Sequence, residues 1–468
     1  MRVSVLGSNW LPTFYTPEEE GYSFEEGDKA IALAEFAFSN SAVPMKLDEF
    51  QKWILRQALQ TDSQGNFRFR SYIVSMGRQN GKTTIASALM LYFMLAHHPQ
   101  PNVFAIASTL QQANIAYSRF SNLVNSSPEI KRKFRATTET RGIKTKSGGY
   151  LQVSTSKAAS LQGHSLTACV LDELHILKPE TYDAVVIGAG QQANSLIFGI
   201  TTAGSEESEL LKRLYEQGRS GAPGMGIAIW EADEGASQTD PEQLKKANPA
   251  LAEGRMSLEG TLQEVAVLPE ADAVRYKLNR FITAENPFLP FGKWKQLGEC
   301  SYPPEPMKIV ADISPGWGAL TLSGAWRVEE DIHTAVIASV IKPSYEQALS
   351  LLLKVLEQVP YTEVGISTYW GKSLLDALSE KGVRTKPLVR RDEFVAPPLF
   401  YEAVMTDRIK HDHLDLLDYQ MARVGRKEQG DEYKLVRPSA AVEIDAAMAT
   451  IFACYLQLTE QASPTQVF

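Results

Sequence analysis

The stretch SMGRQNGKTT, residues 75–84, contains the glycine, lysine and threonine that end a phosphate-binding loop. The full pattern is G-x-x-x-x-G-K-[ST], and Met76 stands where its first glycine belongs. Such a loop wraps backbone N–H groups around phosphate oxygens, and its lysine adds a positive charge. Because SYIVS predicts a strand before it and KTTIASALMLYF a helix after it, ATP binding is favoured over a chance match. The predicted binding residues are Gly77, Arg78, Gln79, Asn80, Gly81, Lys82, Thr83 and Thr84.

Asp172 and Glu173 end another predicted strand, LTACVLDEL. A phosphate-loop ATPase needs an acidic ligand for hydrated Mg²⁺ and a carboxylate that orients the attacking water, both at the tip of a neighbouring strand. We assign the first role to Asp172 and the second to Glu173. A third predicted strand ends at Thr201 and Thr202, whose hydroxyls could sense the γ-phosphate, although a simple turn explains them equally well.

Three further side chains are candidates for contacts with ATP. Arg78 could reach the γ-phosphate, where a guanidinium stabilises transferred charge. Gln51 could bind adenine through its amide, and a solvated helix position explains it nearly as well. Arg141 lies in the basic strip KRKFRATTETRGIKTK, residues 131–146, and could act on the ATP of a neighbouring subunit. A solvated surface or a DNA contact explains that strip at least as well.

The composition is typical of a globular protein with more than one domain. A chain of 468 residues is expected to form about two or three domains of ~150 residues. The net charge of −8 argues against a uniformly basic nucleic-acid-binding surface, but it leaves room for local basic strips. The three cysteines lie far apart without C-x-x-C spacing, which argues against a zinc site. With no readable signal peptide and no apolar run long enough to cross a bilayer, a cytoplasmic protein is expected.

Apolar strand-like runs alternate with helical patterns from about residue 45 to 225, which predicts a parallel sheet covered by helices. The predicted strands are SYIVSM, NVFAIAS, YLQVST, LTACVLDE and SLIFGITTAG. A polar segment with Pro and Gly follows, with a helical pattern through about Asn279. We therefore predict an ATPase domain at residues 1–230, including an N-terminal extension at 1–45, and a linker or hinge subdomain at 231–302.

A different pattern begins after Pro304. KIVADIS, ALTLSGAW and HTAVIASVI predict three consecutive strands, followed by the helix YEQALSLLLKVLEQV and the strand TEVGIS. The helix SLLDALSEKG, the strand TKPLVR and two or three closing helices complete the series. These elements predict a further domain at residues 303–460, with a polar tail at 461–468.

The motifs PMKLDEFQKWIL, SMGRQNGKTT, ASTLQQANIAYSRF, AASLQGHSL, ACVLDELH and GITTAG occur in that order. Together they resemble the large subunit of tailed-bacteriophage terminases, the ATP-driven motor that packages DNA into procapsids. The resemblance covers nearly the whole chain. In that family the loop commonly lacks its first glycine and carries an arginine. The residues whose roles it implies are Arg78, Lys82 and Thr83 for the phosphates and Mg²⁺, Asp172 and Glu173 for hydrolysis, Thr201 and Thr202 for coupling to movement, and Gln51 for the adenine.

The resemblance also implies a second domain of RNase H-like fold, an endonuclease that cuts concatemeric DNA. The predicted fold class is thus α/β, an ASCE-type phosphate-loop ATPase with a parallel sheet followed by an RNase H-like domain. Its chemistry needs carboxylates from separate elements around two metal ions, Mg²⁺ or Mn²⁺, about 3.5–4 Å apart. Asp312, in the first strand of that domain, matches the family's first carboxylate. Asp445, in VEIDAAMATIFACYL, matches another.

One carboxylate of the family pattern is missing. The family usually has an acid at the end of the fourth strand, where TEVGISTYWGKS puts Thr368, and a hydroxyl lacks the charge that holds Mg²⁺. Candidate substitutes are Glu363, Asp376 and Asp392, although Glu363 should face the other side of its strand. We therefore expect a nuclease that binds metal weakly, needs DNA or another acid to complete its site, or is inactive.

The resemblance implies ATP and Mg²⁺ as cofactors. It implies double-stranded DNA, the portal protein of the procapsid and a small terminase subunit as partners, and a homo-oligomeric ring on the portal, expected to be a pentamer, in the host cytoplasm. His411 and His413, in KHDHLD, could lie near the nuclease metals, although a surface loop is the simpler interpretation. Two alternatives stay open: a superfamily 2 helicase-like translocase with a second ATP-binding lobe, and a nucleotide-binding assembly component that is not an enzyme.

Overall fold

The chain forms two compact units, residues 1–282 and 283–468. The computed structural model describes residues 10–41, 44–98, 100–107, 109–135, 142–155, 164–192, 194–282, 286–303, 306–430, 432–437 and 442–460. No helix in these ranges is long and apolar enough to cross a membrane.

The first unit is an α/β structure. Its strands are β1 (Phe14–Tyr15), β2 (Ser71–Ser75), β3 (Asn102–Ala107), β4 (Gly142–Lys144), β5 (Tyr150–Thr155), β6 (Ala168–Asp172), β7 (Leu196–Thr201) and β8 (Met225–Ile229). Its helices are α1 (Glu25–Ser39), α2 (Glu49–Ala58), α3 (Lys82–Tyr92), α4 (Leu110–Ser126), α5 (Pro128–Lys131), α6 (Pro179–Gly190), α7 (Glu209–Arg219), α8 (Pro241–Ala247), α9 (Pro249–Ala252), α10 (Leu258–Val267) and α11 (Glu270–Tyr276).

These strands form one sheet in the order β1-β8-β2-β7-β6-β3-β5-β4. The six central strands are parallel, and β1 and β4 add antiparallel edges. Successive side chains of β2 enter opposite cores: Tyr72 and Val74 pack with α1–α3, whereas Ile73 packs with α6 and α7. The parallel sheet predicted from the sequence is present, and all five predicted strands lie in it. Its carboxyl edge is where a ligand of such a sheet binds.

The strand order corrects one prediction. Asp172 was expected on the strand beside the phosphate-loop strand, but β7 lies between β2 and β6. Thr201 is therefore the direct neighbour of Ser75, and Asp172 is one strand further away. The sequence marks where each strand ends, but it carries no local signal for the order of the crossovers.

The predicted linker, residues 231–302, is divided between the two units. Helices α8–α11 belong to the first unit, where the N–H of Gly77 donates to Ala247 O at 3.0 Å and that of Arg78 to Tyr276 O at 2.8 Å. Residues 286–302 belong to the second unit, where the N–H of Phe288 donates to Val424 O at 2.8 Å. The polar composition of 231–257 suggested a connecting segment, but its few apolar side chains are enough to anchor it.

The second unit is also α/β. Its strands are β9 (Gly298–Glu299), β10 (Met307–Ile313), β11 (Ala319–Val328), β12 (Asp331–Ile341), β13 (Tyr361–Ser367), β14 (Thr385–Leu388), β15 (Ile409–His411), β16 (Gly425–Gln429) and β17 (Glu432–Val436). Its helices are α12 (Tyr345–Gln358), α13 (Lys372–Glu380), α14 (Asp392–Met405), α15 (Asp415–Met421) and α16 (Asp445–Leu458).

The second sheet has the order β14-β13-β10-β11-β12-β15-β9, and β16 and β17 form a separate hairpin. Strands β10, β11 and β12 are antiparallel neighbours, while β13 and β14 lie parallel to β10 on its other side. Helices α12 and α13 cover one face, and α14–α16 cover the other. Three antiparallel strands extended by parallel crossover strands give the RNase H-like order predicted from the sequence. This topology does not fit the second ATP-binding lobe that a helicase requires.

Candidate nucleotide-binding and metal-binding sites

The loop between β2 and α3 presents a row of free backbone donors. Gly81 adopts a left-handed conformation, φ 79° and ψ 28°, and begins α3. Within the described part of the chain, the N–H groups of residues 79–83 donate to no protein acceptor. Five successive unpaired N–H groups at the start of a helix form a site for an anion such as a phosphate.

The ammonium of Lys82 lies beneath this row. Its Nζ donates to Met76 O at 2.9 Å, to Gly77 O at 3.3 Å and to Thr201 O at 3.2 Å. Burial lowers the pKa of Lys82 to about 8, and the charges of Glu173 and Asp172 oppose that shift. A polyphosphate would favour the charged form of this lysine, because an anion beside it replaces the lost hydration.

Two buried asparagines, Asn80 and Asn248, hold the loop in place through hydrogen bonds. Asn80 Nδ2 donates to Gly77 O at 3.0 Å and to Asn248 Oδ1 at 2.9 Å, and Asn80 Oδ1 accepts from the N–H of Ala250 at 3.0 Å. A Cβ at Gly77 would lie 2.1 Å from Asn248 Oδ1, so only glycine fits there. The loop has no glycine at position 76, where the pattern expects one, but it requires a glycine at position 77. Asn248 was not identified from the sequence, because 168 residues separate it from Asn80.

The two side chains at the tip of the loop contact the helical segment α8–α11. The guanidinium of Arg78 lies 3.6 Å from the ring centre of Tyr276. Gln79 has a positive φ of 68°, and its Oε1 accepts from Lys277 Nζ at 2.9 Å. Arg78 is therefore held by a cation–π contact at the loop, in a position from which a γ-phosphate could draw it.

The acidic pair lies at the carboxyl end of β6. Glu173 has a left-handed backbone, φ 56° and ψ 50°, and its N–H donates to Ile200 O at 3.0 Å. Burial raises the pKa of Asp172 to about 6, with a contribution from Glu173, while Lys82 acts in the opposite direction. Glu173 Oε2 is buried and makes no hydrogen bond within the described chain, although His175 Nδ1 lies 3.1 Å from it. Two neighbouring carboxylates with incomplete partners fit a bound cation and a water to be activated.

The hydroxyl of Thr83, predicted to bind Mg²⁺, accepts from Arg119 Nη1 at 2.8 Å. The positive charge of Arg119 also acts on Asp172. Arg119, on α4, was not identified from the sequence. A guanidinium here binds the Thr83 hydroxyl and acts through its charge on Asp172, so the two residues fit a cation, and Arg119 must leave Thr83 when the cation binds.

Thr201 and Thr202 differ in their contacts. Thr201 Oγ1 donates to Thr202 O at 2.8 Å and accepts from the N–H of His175 at 3.2 Å. Thr202 Oγ1 is buried without a partner in the described chain. The pKa of His175 is lowered to about 3, first by burial and then by Arg275, Lys82 and Arg78, so its contact with Glu173 is not an ion pair. A third buried asparagine, Asn279, accepts from the N–H of Ala203 at 2.7 Å and fixes the end of β7.

Gln51 lies beside the loop, but its carbonyl is engaged. Its Oε1 accepts from the N–H of Asp48 at 3.0 Å in the capping box of α2, and a Cβ at Gly81 would lie 2.5 Å from its Nε2. Gln51 could therefore make the predicted bidentate contact with adenine only by giving up its capping hydrogen bond from Asp48. Arg141, the predicted trans-acting arginine, lies outside the described residues.

In the second unit, Asp312 and Asp445 converge on the β10–β11 pair. Asp312 lies opposite Thr321 in the antiparallel register, and Thr321 Oγ1 donates to Asp445 Oδ2 at 2.5 Å. Gln420 Nε2 donates to Asp445 Oδ1 at 3.0 Å, and Gln420 Oε1 accepts from the N–H of Ala446 at 2.7 Å. Gln420, on α15, was not identified from the sequence. It orients Asp445 and caps α16 at the same time.

The pKa of the Asp312 carboxyl is strongly raised. Burial raises its pKa to about 8, and the negative charges of Asp445, Glu393 and Glu443 add to the shift. Carboxylates that repel one another in this way are stabilised by a divalent cation, which takes oxygen ligands. The site thus fits a magnesium-class ion.

The chain matches a known family over its first unit. Residues 49–219 match the family model described as Terminase large subunit, ATPase domain. These residues belong to the terminase large-subunit ATPase family. The predicted resemblance to terminase large subunits is confirmed by this match, and with it the expectation of an ATPase.

Solved structures similar to this chain are those of large terminases. The large terminase of bacteriophage HK97 is 17% identical, with 91% of this chain and 98% of that chain covered, at a TM-score of 0.49. That of a thermophilic bacteriophage, in complex with ADP, is 12% identical, with 82% and 93% covered, at 0.36. The large terminase nuclease of thermophilic phage G20c with bound magnesium is 12% identical, with 36% and 97% covered, at 0.29. None of the curated proteins compared matches the sequence.

The candidate substitutes for the missing nuclease acid are either engaged by other residues or exposed. Glu363 pairs with Lys308, Oε1 to Nζ 2.5 Å. Asp376 is exposed on α13. Asp392 accepts from the N–H of Val389 at 2.8 Å and from Tyr455 OH at 2.9 Å. The structure brings none of these three into the group of charges that acts on Asp312.

His411 and His413 form a group with Asp418 whose ligand atoms lie within 4.8 Å of one another. Their nitrogens are already used: His411 Nε2 bonds Trp294 O at 3.0 Å, His413 Nε2 bonds Leu297 O at 3.1 Å, and His411 Nδ1 accepts from the N–H of His413 at 3.2 Å. Burial lowers the pKa of His411. These contacts explain the histidines as packing residues of the β15 region.

Proposed function

We propose that the chain hydrolyses ATP to drive double-stranded DNA into a procapsid, and that its second unit cuts the DNA with bound Mg²⁺ or Mn²⁺. The observation that carries the motor function is the run of unpaired N–H groups at residues 79–83 beside Lys82, at the sheet edge where Asp172 and Glu173 end β6. These are the parts that phosphoryl transfer needs: a phosphate cradle, a cation ligand and a water-orienting carboxylate.

In this proposal each group has one task at the ATP site. The loop N–H groups and Lys82 hold the β- and γ-phosphates. Thr83 and Asp172 would hold Mg²⁺, which would supply charge neutralisation at the transferred phosphate. Glu173 orients the attacking water, and its fixed left-handed backbone keeps the carboxylate at the tip of β6. Arg78 leaves Tyr276 to stabilise the charge that develops on the γ-phosphate.

Thr201 and Thr202 couple hydrolysis to movement in this proposal. Thr201 O accepts from both Lys82 Nζ and the N–H of Met76. A movement of Lys82 toward phosphate would therefore change the hydrogen bonds at the end of β7. DNA would be gripped through its phosphates, which suits transport of any sequence. The partners proposed from the family are the portal protein, a small terminase subunit and further copies of the chain in a ring, expected to be a pentamer, in the host cytoplasm.

The ATPase is tested by turnover of purified protein with DNA and procapsids. Lys82→Ala should lower kcat/KM by about 10²–10³-fold, because one preorganised charge at the phosphates is lost. Lys29→Ala, at an exposed salt bridge on α1, is the matched control and should leave turnover unchanged. Equal turnover by wild type and Lys82→Ala would contradict an ATPase at this loop.

The nuclease is tested by cleavage of plasmid DNA with Mn²⁺. Wild type should cut, whereas Asp312→Ala and Asp445→Ala should not, because each removes a carboxylate that the metals need. Equal cutting by all three proteins would reject this assignment and leave the ATPase untouched.

A further inference from the structure

Two parallel strands leave the second sheet side by side at its carboxyl edge. Strands β13 and β14 pair up to Ser367 and Leu388. Thr368 continues this pairing: its N–H donates to Leu388 O at 2.9 Å, and its Oγ1 donates to the same oxygen at 3.1 Å. The segments that follow, residues 369–372 and 389–391, therefore start next to each other.

The turn at residues 368–371 also packs on the end of β10, the strand that carries Asp312. The N–H of Gly371 donates to Ser367 O at 3.0 Å, which closes the turn. A Cβ at Gly371 would lie 3.2 Å from Ile313 Cδ1, so the turn packs on the residue that follows Asp312. The turn thus lies at the edge of the proposed nuclease site.

This turn exposes two adjacent aromatic rings. Tyr369 is 77% exposed and Trp370 is 39% exposed. Their ring centres lie 5.1 Å apart with the planes at 78°, an edge-to-face pair. Within the described part of the chain, neither side chain makes a hydrogen bond. Exposed Tyr and Trp side chains are enriched where proteins bind other molecules.

Three positive charges flank these rings. Lys372 begins α13, and Arg390 and Arg391 follow the end of β14. All three side chains are exposed, and none makes an ion pair or a hydrogen bond with another described residue. The nearest acid along the chain, Asp392, instead accepts hydrogen bonds from a backbone N–H and a tyrosine hydroxyl. Free cations beside exposed rings favour a polyanion with bases that can stack, rather than an apolar protein surface.

We propose that this surface, residues 369–372 with Arg390 and Arg391, binds unpaired bases of a DNA strand beside the nuclease site. The bases of a duplex stack on one another, so Tyr369 and Trp370 can stack only on bases that have separated. The cations hold the phosphates of the same strand. The inference rests on the proposed nuclease function and adds to it a preference for single-stranded or frayed DNA.

The test is the Kd of the full chain for a labelled oligothymidylate and for a duplex of the same length, measured by fluorescence anisotropy. EDTA is present and nucleotide is absent, so neither ATP nor DNA is hydrolysed. Tyr369→Ala and Trp370→Ala should each weaken single-strand binding about 5–100-fold, the effect of losing one base–aromatic stack. Tyr369→Phe keeps the ring and should bind like wild type. Tyr302→Ala, at a side chain that is 95% exposed, is the matched control.

The salt dependence tests the cations. The double variant Arg390→Ala, Arg391→Ala should lower the slope of log Kd against log salt by about 1.4, as expected when two phosphate contacts to a single strand are lost. Lys354→Ala, at an exposed position on α12, should leave the slope unchanged. Circular dichroism and the midpoint of thermal unfolding check that each variant is folded.

Two results would overturn the inference. Wild-type affinity for the single strand in both alanine variants would show that the rings do not stack on bases, and would leave them for a protein partner. An equal loss of affinity for single strand and duplex would show a surface that binds the backbone alone. Plasmid cleavage by wild type and Asp312→Ala tests the nuclease function separately, because binding in EDTA requires no metal.

Discussion

The backbone of Glu173 is left-handed, a conformation that costs a non-glycine residue about 1–2 kcal/mol. The hydrogen bond from its N–H to Ile200 O holds it in place, so the sheet edge offsets this cost. The fold therefore keeps Glu173 in an unfavourable conformation next to Asp172, whose pKa is raised to about 6. Its position is consistent with activation of water.

Glu173→Gln should lower kcat for ATP by about 10²–10⁴-fold and leave the Kd for ATP unchanged, because the amide keeps the shape but cannot take a proton. Steady-state turnover and equilibrium binding of a fluorescent ATP analogue measure the two quantities. Glu180→Gln, at an exposed position on α6, serves as the control. A variant that hydrolyses ATP at the wild-type rate would remove Glu173 from the mechanism.

Gln420 supports Asp445 and the start of α16, and it is 4% exposed. Gln420→Ala should lower the free energy of unfolding by about 1–3 kcal/mol, because a buried N–H and a carboxylate oxygen lose their partner. Urea denaturation measures this loss, and Gln358→Ala at the exposed end of α12 is the control. An unchanged unfolding free energy would mean that another group replaces Gln420.

Residue type and spacing predicted Lys82, Asp172 and Glu173, because each lies in a short local pattern, whereas Asp312 and Asp445 were implied by the family resemblance. Asn248 and Gln420 were not predicted. Each acts on a residue more than twenty positions away, and no local pattern marks a buried amide that supports a distant loop.

Among the secondary-structure elements, helices α8–α11 line one side of the proposed nucleotide site. They and the residues that flank them supply Asn248 behind the loop, Tyr276 under Arg78 and Asn279 at the end of β7. The loop conformation is therefore set partly by a segment that follows the whole parallel sheet in sequence. The ends of the strands could be predicted because apolar runs end there. The packing of α8–α11 against the loop could not be predicted, because this segment has a polar composition.

Asn248→Ala should raise the KM for ATP about tenfold, because Asn80 loses the partner that holds the loop, and a missing hydrogen bond to a positioned group costs about 1–1.5 kcal/mol. Asn125→Ala, at an exposed position on α4, is the control. KM is measured by steady-state turnover, with unfolding checked in parallel. A lower free energy of unfolding with an unchanged KM would show that Asn248 stabilises the fold but does not position the loop for ATP.

At the scale of the whole molecule, each unit has its own sheet and its own hydrophobic cores. Thermal unfolding should therefore show two transitions. A non-hydrolysable ATP analogue with Mg²⁺ at about 100 times its Kd should stabilise only the first unit, by about 2.7 kcal/mol. Lys82→Ala should remove that shift, whereas Asp312→Asn should not. One transition that responds equally to both variants would contradict independent units.

We expect ATP hydrolysis at the loop ahead of Lys82 to move DNA. The most direct measurement is the amount of DNA that becomes protected from added nuclease when the chain, procapsids, DNA and ATP are combined. We expect protected DNA with wild type, and none with Glu173→Gln or with a non-hydrolysable ATP analogue. Equal protection in the wild-type and Glu173→Gln reactions would contradict it.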